Sequence, residues 1–430
     1  YLSEGGAGYN DGKGWLPIGN IEEPFVGSLK GNGYVIKNLY INRSDEDYVG
    51  LFAAVGDSLI IDDYEVSPQK YGDIEAYDEY EVKISNLGLE NVNVSGGYAV
   101  GSLAGVSVGF IEDCYATDVY ICGDEDVGGL LGVNVGHVAD CYVNGTVKGS
   151  VSVGGLAGFF AGELLNCHAT GTIEGNREIG GLVGSNYGDL EACYATGAVD
   201  GEEDVGGLVG TNSAFGSLKA CYANGIVTGN VSVGGLVGWN SGSVAECYAT
   251  GTVEGNQEIG GLVGNNYVYF GHLENCYATG AVSGDASVGG MVGYNTGFVG
   301  NCYAIGAVEG EEDVGGLVGF NEEGEIFSSY YNWETTGQED TGKGEPRSTA
   351  EMKLSSTYEG WDFLDVWRIE EGQSYPVFLW QLGVLPSGFE LEIEDKLVKP
   401  DHAFQIRIFN AVGEDGKLLE GPHEVTVHSD

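Results

Sequence analysis

One short phrase is written eight times in this chain, and it restricts the fold to a stack of equivalent coils. A V/I-GG block recurs at Val127, Val153, Ile179, Val205, Val233, Ile259, Val288 and Val314, so the step is 26 residues with occasional insertions of two or three. The fullest statement runs VGGLVGTNSAFGSLKAC from Val205 to Cys221 and continues at once as YANGIVTGN. A repeat of this length cannot bury its apolar face alone and must stack on its neighbours, which makes a solenoid.

The inside of one unit says which solenoid. After each block comes Gly-x-Asn, then a variable turn, then a run such as CYATGAV from Cys193 to Val199. With the two-residue period of a strand, Cys193, Ala195, Gly197 and Val199 share one face, and Tyr194, Thr196 and Ala198 share the other. The first set is small and apolar and is expected to point inward. A helical reading fails, because the units are rich in glycine and β-branched residues, both poor helix formers. Each unit is therefore read as one coil of short strands joined by glycine turns.

Stacked coils place equivalent side chains above one another at the strand spacing of ~4.8 Å. Three columns follow. Cys114, Cys141, Cys167, Cys193, Cys221, Cys247, Cys276 and Cys302 make an inner sulfur column that Ser329 ends. Asn134, Asn186, Asn212, Asn240, Asn266, Asn295 and Asn321 make a turn column whose amides can bond from coil to coil, interrupted by Phe160. Tyr115, Tyr142, Tyr194, Tyr222, Tyr248, Tyr277, Tyr303 and Tyr330 make an outer aromatic column, with His168 as the exception.

The combination of GGLVG, a following Asn and CYATG resembles the GLUG-motif repeats of surface and adhesin-like proteins of bacteria and archaea, also found beside the protease part of some IgA peptidases. The resemblance covers roughly residues 34–331. It implies a β-solenoid on an exported protein and brings no catalytic residues with it.

Composition narrows the partners. With 17 basic and 65 acidic residues the formal net charge is -48, which makes nucleic acid and anionic membranes poor partners. There are 76 glycines among 430 residues, but they are periodic, so they argue for tight turns and not for disorder. No apolar run approaches the ~20 residues of a membrane span. No signal peptide is visible and the chain begins at Tyr1, which reads as a removed leader or a trimmed end. Sequons at Asn42, Asn93, Asn144 and Asn230 fit an exported, glycosylated chain. Eight of the nine cysteines occupy one inward position, so free buried thiols are expected; Cys122 stands outside the column.

Taken in order, residues 1–33 form an N-terminal cap carrying Trp15, Pro17, Ile18 and Phe25. The solenoid spans 34–331, with Leu39 and Leu87 expected at the cysteine position of the first coils. An acidic, tyrosine-rich insert lies near 62–83, where Tyr71, Tyr77 and Tyr80 are candidate binding residues. Residues 332–384 read as an aromatic C-terminal cap, and 385–430 as an incomplete immunoglobulin-like β-sandwich segment. The fold class is thus all-β, a β-solenoid of about ten coils with caps.

Chemistry is sparse. The acidic turns Asp124, Glu125, Asp126, then Glu202, Glu203, Asp204, then Glu311, Glu312, Asp313 each group three carboxylates, and calcium is the cation they would suit. They lie three or more coils apart, so solvated turns are the simpler reading and no cofactor is expected. The near-zincin HEVTVH at His423, Glu424 and His428 has one residue too many, and in a strand its histidines diverge. The expectation is a non-enzymatic, extracellular stalk at the cell surface, binding other copies of itself or cell-surface proteins and glycans. Alternatives are a filament or sheath subunit joined by strand addition, a carbohydrate-binding module, and a glycan-cleaving β-helix.

Overall fold

The computed structural model describes residues 9–56, 82–267, 270–339 and 343–382, together with the strands Phe404–Ile408 and His423–Val427. It divides into two compact units, one through Arg347 and one from Ser348.

The first unit is a parallel β-solenoid. Strands that follow each block, such as Val183–Asn186 and Val209–Asn212, form a ten-stranded sheet, and those that enter it, such as Glu203–Gly206, form a nine-stranded sheet. The remainder of every coil adds to a third sheet of 28 strands. Register between coils is strict, Val183 facing Val209 and Asn186 facing Asn212. The insertions before Val233 and Val288 leave this register intact, because they fall in the turn after the asparagine.

Glycine is required where two sheets meet. A Cβ on Gly210 would stand 2.4 Å from the backbone carbon of Glu178 in the preceding coil, so the second residue of the strand after the block has no room for a side chain. The apolar residues around it, Val205, Leu208 and Val209, are buried in one continuous core with Cys193, Ala195 and Val199.

The expected strand Cys193 to Val199 is not continuous. It breaks into Tyr194–Ala195 and Val199–Asp200, and Gly197 is half-buried at the bend and not inward. A Cβ there would lie 1.5 Å from the Gly171 carbonyl oxygen, so the bends stack backbone on backbone. Two-residue alternation could not reveal this, because the glycine answers to the coil below it and not to its own strand.

The ends are closed by larger side chains. The alanine row that includes Ala278 and Ala304 terminates in Tyr331, fully buried beside Gly316. The strand Glu345–Arg347 then adds in parallel to Tyr330–Asn332, so the solenoid unit runs beyond the expected boundary at 331. At the other end Ile18 and Phe25 bridge to Phe52 and Val55, Trp15 Nε1 donates to the Leu51 carbonyl at 3.1 Å, and Gly14 bridges antiparallel to Ile41. Leu39 is not in the cysteine register. Leu87 is, since Gly88 faces Tyr115, but its own partner in the first coil is Tyr34, which is 77% exposed. Tyr40 faces Asn93, so Leu39 lies further along the coil than the cysteine position that Tyr34 occupies.

The second unit holds a small aromatic core. Trp367 and Phe378 are fully buried on facing antiparallel strands with rings 4.3 Å apart, and Trp361 packs on Trp367 at 4.6 Å. The segment expected to cap the coils thus builds a core of its own. Phe404–Ile408 pairs antiparallel with His423–Val427, His423 facing Ile408 and Glu424 facing Arg407. His428 lies outside the described residues.

Candidate functional site

The three columns come first because they occupy most of the distinctive side chains. Each column thiol is free, and the sulfurs bond along the stack: Cys114 N–H donates to Cys141 Sγ at 3.3 Å, and Cys141 N–H to Cys167 Sγ at 3.3 Å. Ser329 closes the row by accepting from Cys302 N–H at 3.1 Å. Burial pushes the thiols of Cys141, Cys193, Cys247 and Cys302 up, which suppresses the thiolate needed for nucleophilic chemistry. Cys122 is half-buried at the end of the strand Tyr115–Cys122, facing Ser95 and Lys148 on the adjoining coils.

The asparagine column is a continuous ladder over six coils. Asn186 Nδ2 donates to Asn212 Oδ1 at 2.8 Å, Asn212 to Asn240 at 2.8 Å, Asn240 to Asn266 at 2.9 Å, Asn266 to Asn295 at 2.8 Å and Asn295 to Asn321 at 2.7 Å. Phe160 stands between Asn134 and Asn186 and severs the row, leaving the buried Asn134 Oδ1 without a partner among the described residues.

The aromatic column is stacked face to face. From Tyr115 through Tyr142, His168, Tyr194, Tyr222, Tyr248 and Tyr277 to Tyr303, successive centroids lie 4.5–5.2 Å apart with planes within 10°. It is less external than expected, for Tyr277, Tyr303 and Tyr330 are buried. Burial raises the Tyr222 hydroxyl to about 12 and lowers the pKa of His168. Arg347 covers the Tyr330 ring at 5.3 Å. Each ring face within the row is therefore taken by its neighbour, and the column presents edges.

The acidic turns sit in a seam that sequence reasoning missed. The second residue of each strand entering the block has a left-handed backbone: Asp126, Ser152, Glu178, Asp204, Ser232, Glu258, Ser287 and Asp313, all with φ between 51 and 59°. These residues lie against the third residue of the strands after the block. Ser152 Oγ donates to Glu178 Oε2 at 2.8 Å, Ser185 donates to the same carboxylate, Ser232 donates to Glu258 Oε2 at 2.6 Å, and Asn265 Nδ2 donates to it at 2.9 Å. Asp126 is only 6% exposed, and burial raises its carboxyl to about 7; Asp204 is raised to about 7 for the same reason, with Glu203 and Glu178 adding repulsion. One of the expected solvated turns thus contains a buried acid, Asp126, and a second a half-buried one, Asp204, whereas Asp124, Glu125, Glu202, Glu203, Glu311, Glu312 and Asp313 are exposed. Among the described residues no three metal-binding side chains come together. The recurrence of D, S or E two residues before the GG was the available signal, and it needed the left-handed backbone to be understood.

The four sequon asparagines are all exposed. Asn144 Nδ2 donates to Thr170 Oγ1 at 2.8 Å, and Asn230 Oδ1 accepts from Asn256 at 2.6 Å. Tyr71, Tyr77 and Tyr80 lie outside the described residues, but the strand Lys83–Ser95 shows that Lys83 belongs to the coil and not to the insert. Among the described residues no helix is long and apolar enough to cross a membrane.

With this geometry in place the relatives can be read. The GLUG motif model matches residues 175–200, 201–228, 229–254 and 255–283, four tandem coils of the solenoid. This chain carries GLUG repeats. Halomucin of Haloquadratum walsbyi is 37% identical over 110 residues, which is 25% of this chain and 1% of halomucin. A Gly-rich membrane protein of Evansella cellulosilytica is 54% identical over 55 residues, 12% of this chain and 6% of that protein. Among solved structures, a candidate immunoglobulin A1 protease from Bacteroides ovatus aligns over 86% of this chain and 96% of its own at 16% identity, with a TM-score of 0.34. The GLUG matches account for the asparagine ladder from Asn186 to Asn266, which runs through the four matched coils.

Proposed function

We propose that this protein is an extracellular, surface-associated structural or adhesin-like protein in which the GLUG solenoid serves as a stiff, non-catalytic spacer. The observation that carries the reading is the use made of the reactive side chains. Cysteines, asparagines and tyrosines are spent on bonding one coil to the next, and the carboxylates are distributed along the axis instead of converging. The names of the relatives, halomucin and a membrane protein, support a surface location. Glycosylation of the exposed sequons fits the same setting.

Immunogold labelling of intact cells that make the protein tests this. Label on unpermeabilised cells or on shed material is expected, and label that appears only after lysis would overturn the reading. In the filament alternative, strand addition to the sheet formed by Phe404–Ile408 and His423–Val427 would join one copy to the next. Electron microscopy of native material distinguishes them, continuous fibres favouring the filament and separate projections the stalk.

A further inference from the structure

We propose that copies of this chain join head to tail through the two open ends of the large solenoid sheet, Ser28–Lys30 of one copy pairing in parallel with Glu325–Phe327 of the next. The proposal rests on the filament alternative above and moves its joint from the sheet of Phe404–Ile408 and His423–Val427 to the solenoid itself. The argument begins with one three-residue segment that recurs in every coil. Ser28–Lys30 pairs with Lys83–Ser85, that with Phe110–Glu112, and the series runs on to Phe298–Gly300 and Glu325–Phe327. Among the described residues no strand or bridge pairs with the outer side of the first or the last segment. The first coil is closed elsewhere, since Gly14 bridges to Ile41, and Ile18 and Phe25 bridge to Phe52 and Val55.

The middle residue of this segment shows that both ends are unfinished. From Ile84 and Ile111 to Val299 it is fully buried, whereas Leu29 and Ile326 at the two ends are only partly buried against the same core. Stacking one copy on the next gives each the neighbour it lacks. Charge decides which ends meet. Residues 28–43, in the first coil, hold three basic residues and no acid, and residues 308–327, in the last, hold seven acids and no base. A lysine on an open edge ordinarily guards it against pairing. Here it repels another head and admits an acidic tail, which selects head-to-tail contact over the two symmetric ones. The side chains suit the register. With Ser28 opposite Glu325, Lys30 stands opposite Phe327, which is 63% exposed, and diagonal to the exposed Glu325 carboxylate. Lys83 already reaches Glu112 at 2.6 Å across a diagonal of this sheet, and Lys37 and Lys148 reach Glu90 and Glu174 one coil along, both at 2.6 Å. Lys30 is exposed and has no such partner among the described residues. Contact between unlike ends does not close on itself, so the solenoids extend as an open filament.

Sedimentation velocity of the full chain up to about 1 mM, the range of a small transient interface, provides the test. Salt at about 0.15 M keeps the charges at the joint in play while screening the rest of the acidic chain. Association that grows with concentration is expected. Lys30→Glu and Glu325→Lys should each weaken it by about tenfold or more, and the two together in one chain should restore it, because the charges then exchange places across the same joint. The wild-type chain supplies a second arm. Carbodiimide treatment of mixed isotopically heavy and light chains should link the Lys30 peptide of one copy to the Glu325 peptide of another, read by mass spectrometry. A monomer over the whole range, without that link, would overturn the proposal and leave the spacer reading standing. Association that survives both single reversals, with links mapping to residues 404–427, would overturn it and leave the filament alternative with its other joint.

Discussion

The asparagine column and the carboxylate seam run along the same solenoid and respond to stacking in opposite ways. An asparagine has a donor and an acceptor, so a copy of itself one coil away is an ideal partner, and Asn186 through Asn321 repeat without exception. An ionised carboxylate stacked on its copy only repels. The seam therefore interleaves Ser152, Ser232 and Ser287 among its acids, and these coils keep their asparagines or tolerate Phe160 independently. Burial raises the pKa of Asp204, and the carboxylates of Glu203 and Glu178 add to it by repulsion. Repetition is thus favourable for a self-complementary group and costly for a charged one.

The largest way to break this contrast is to remove charge from the seam. Asp126 has a folded pKa near 7 against an unfolded value near 4, so the native state holds the proton more tightly, and stability is lost as pH rises through that window. Asp126→Asn should leave stability nearly unchanged at about pH 4 and raise it at about pH 8 by up to roughly 4 kcal/mol. Asparagine also accepts the left-handed backbone there. Denaturant melts at the two pH values measure it, and an equal gain at both would show that titration of Asp126 is not the cause.

The ladder should show the reverse sensitivity. Asn240→Leu removes the donor to Asn266 and the acceptor of Asn212, stranding two buried groups at a cost of about 2–4 kcal/mol. Asn134→Leu, on the severed side of Phe160, loses only the bond to the Gly136 carbonyl at 2.9 Å and should cost about 1 kcal/mol or less. Equal losses would mean that the ladder adds nothing beyond packing.

Smaller effects sharpen the picture. Ala192 and Ala220 carry left-handed backbones that alanine disfavours, so Ala192→Gly should stabilise by about 1 kcal/mol. Thiol labelling of the native chain should have the least structural consequence. Iodoacetamide should modify Cys122 and spare the eight column cysteines until the chain unfolds, as peptide mass spectrometry would show.

Much of this was legible before any coordinates. A 26-residue period with recurring Cys, Asn and Tyr positions determines a solenoid, names its columns and predicts unpaired thiols, because each coil meets near-copies of itself above and below. The motif also leads to the GLUG repeats. Periodicity does not say where a coil bends. The two-residue rule places Gly197 in the interior because it treats a bend as a strand, and the letters align Leu39 with Leu87, whereas the sheet pairs Leu87 with Tyr34. The row along the seam is hidden for a related reason. Trp239, Asn265, Tyr294 and Phe320 vary from coil to coil, so no motif marks them, and they become one row only when the sheet is stacked. The burial of Asp126 likewise depends on a left-handed turn that folds a charged residue against the adjoining strand. What repeats is fixed by sequence, since its environment is itself; what varies along the axis is decided by the coils above and below, which only the tertiary structure brings together.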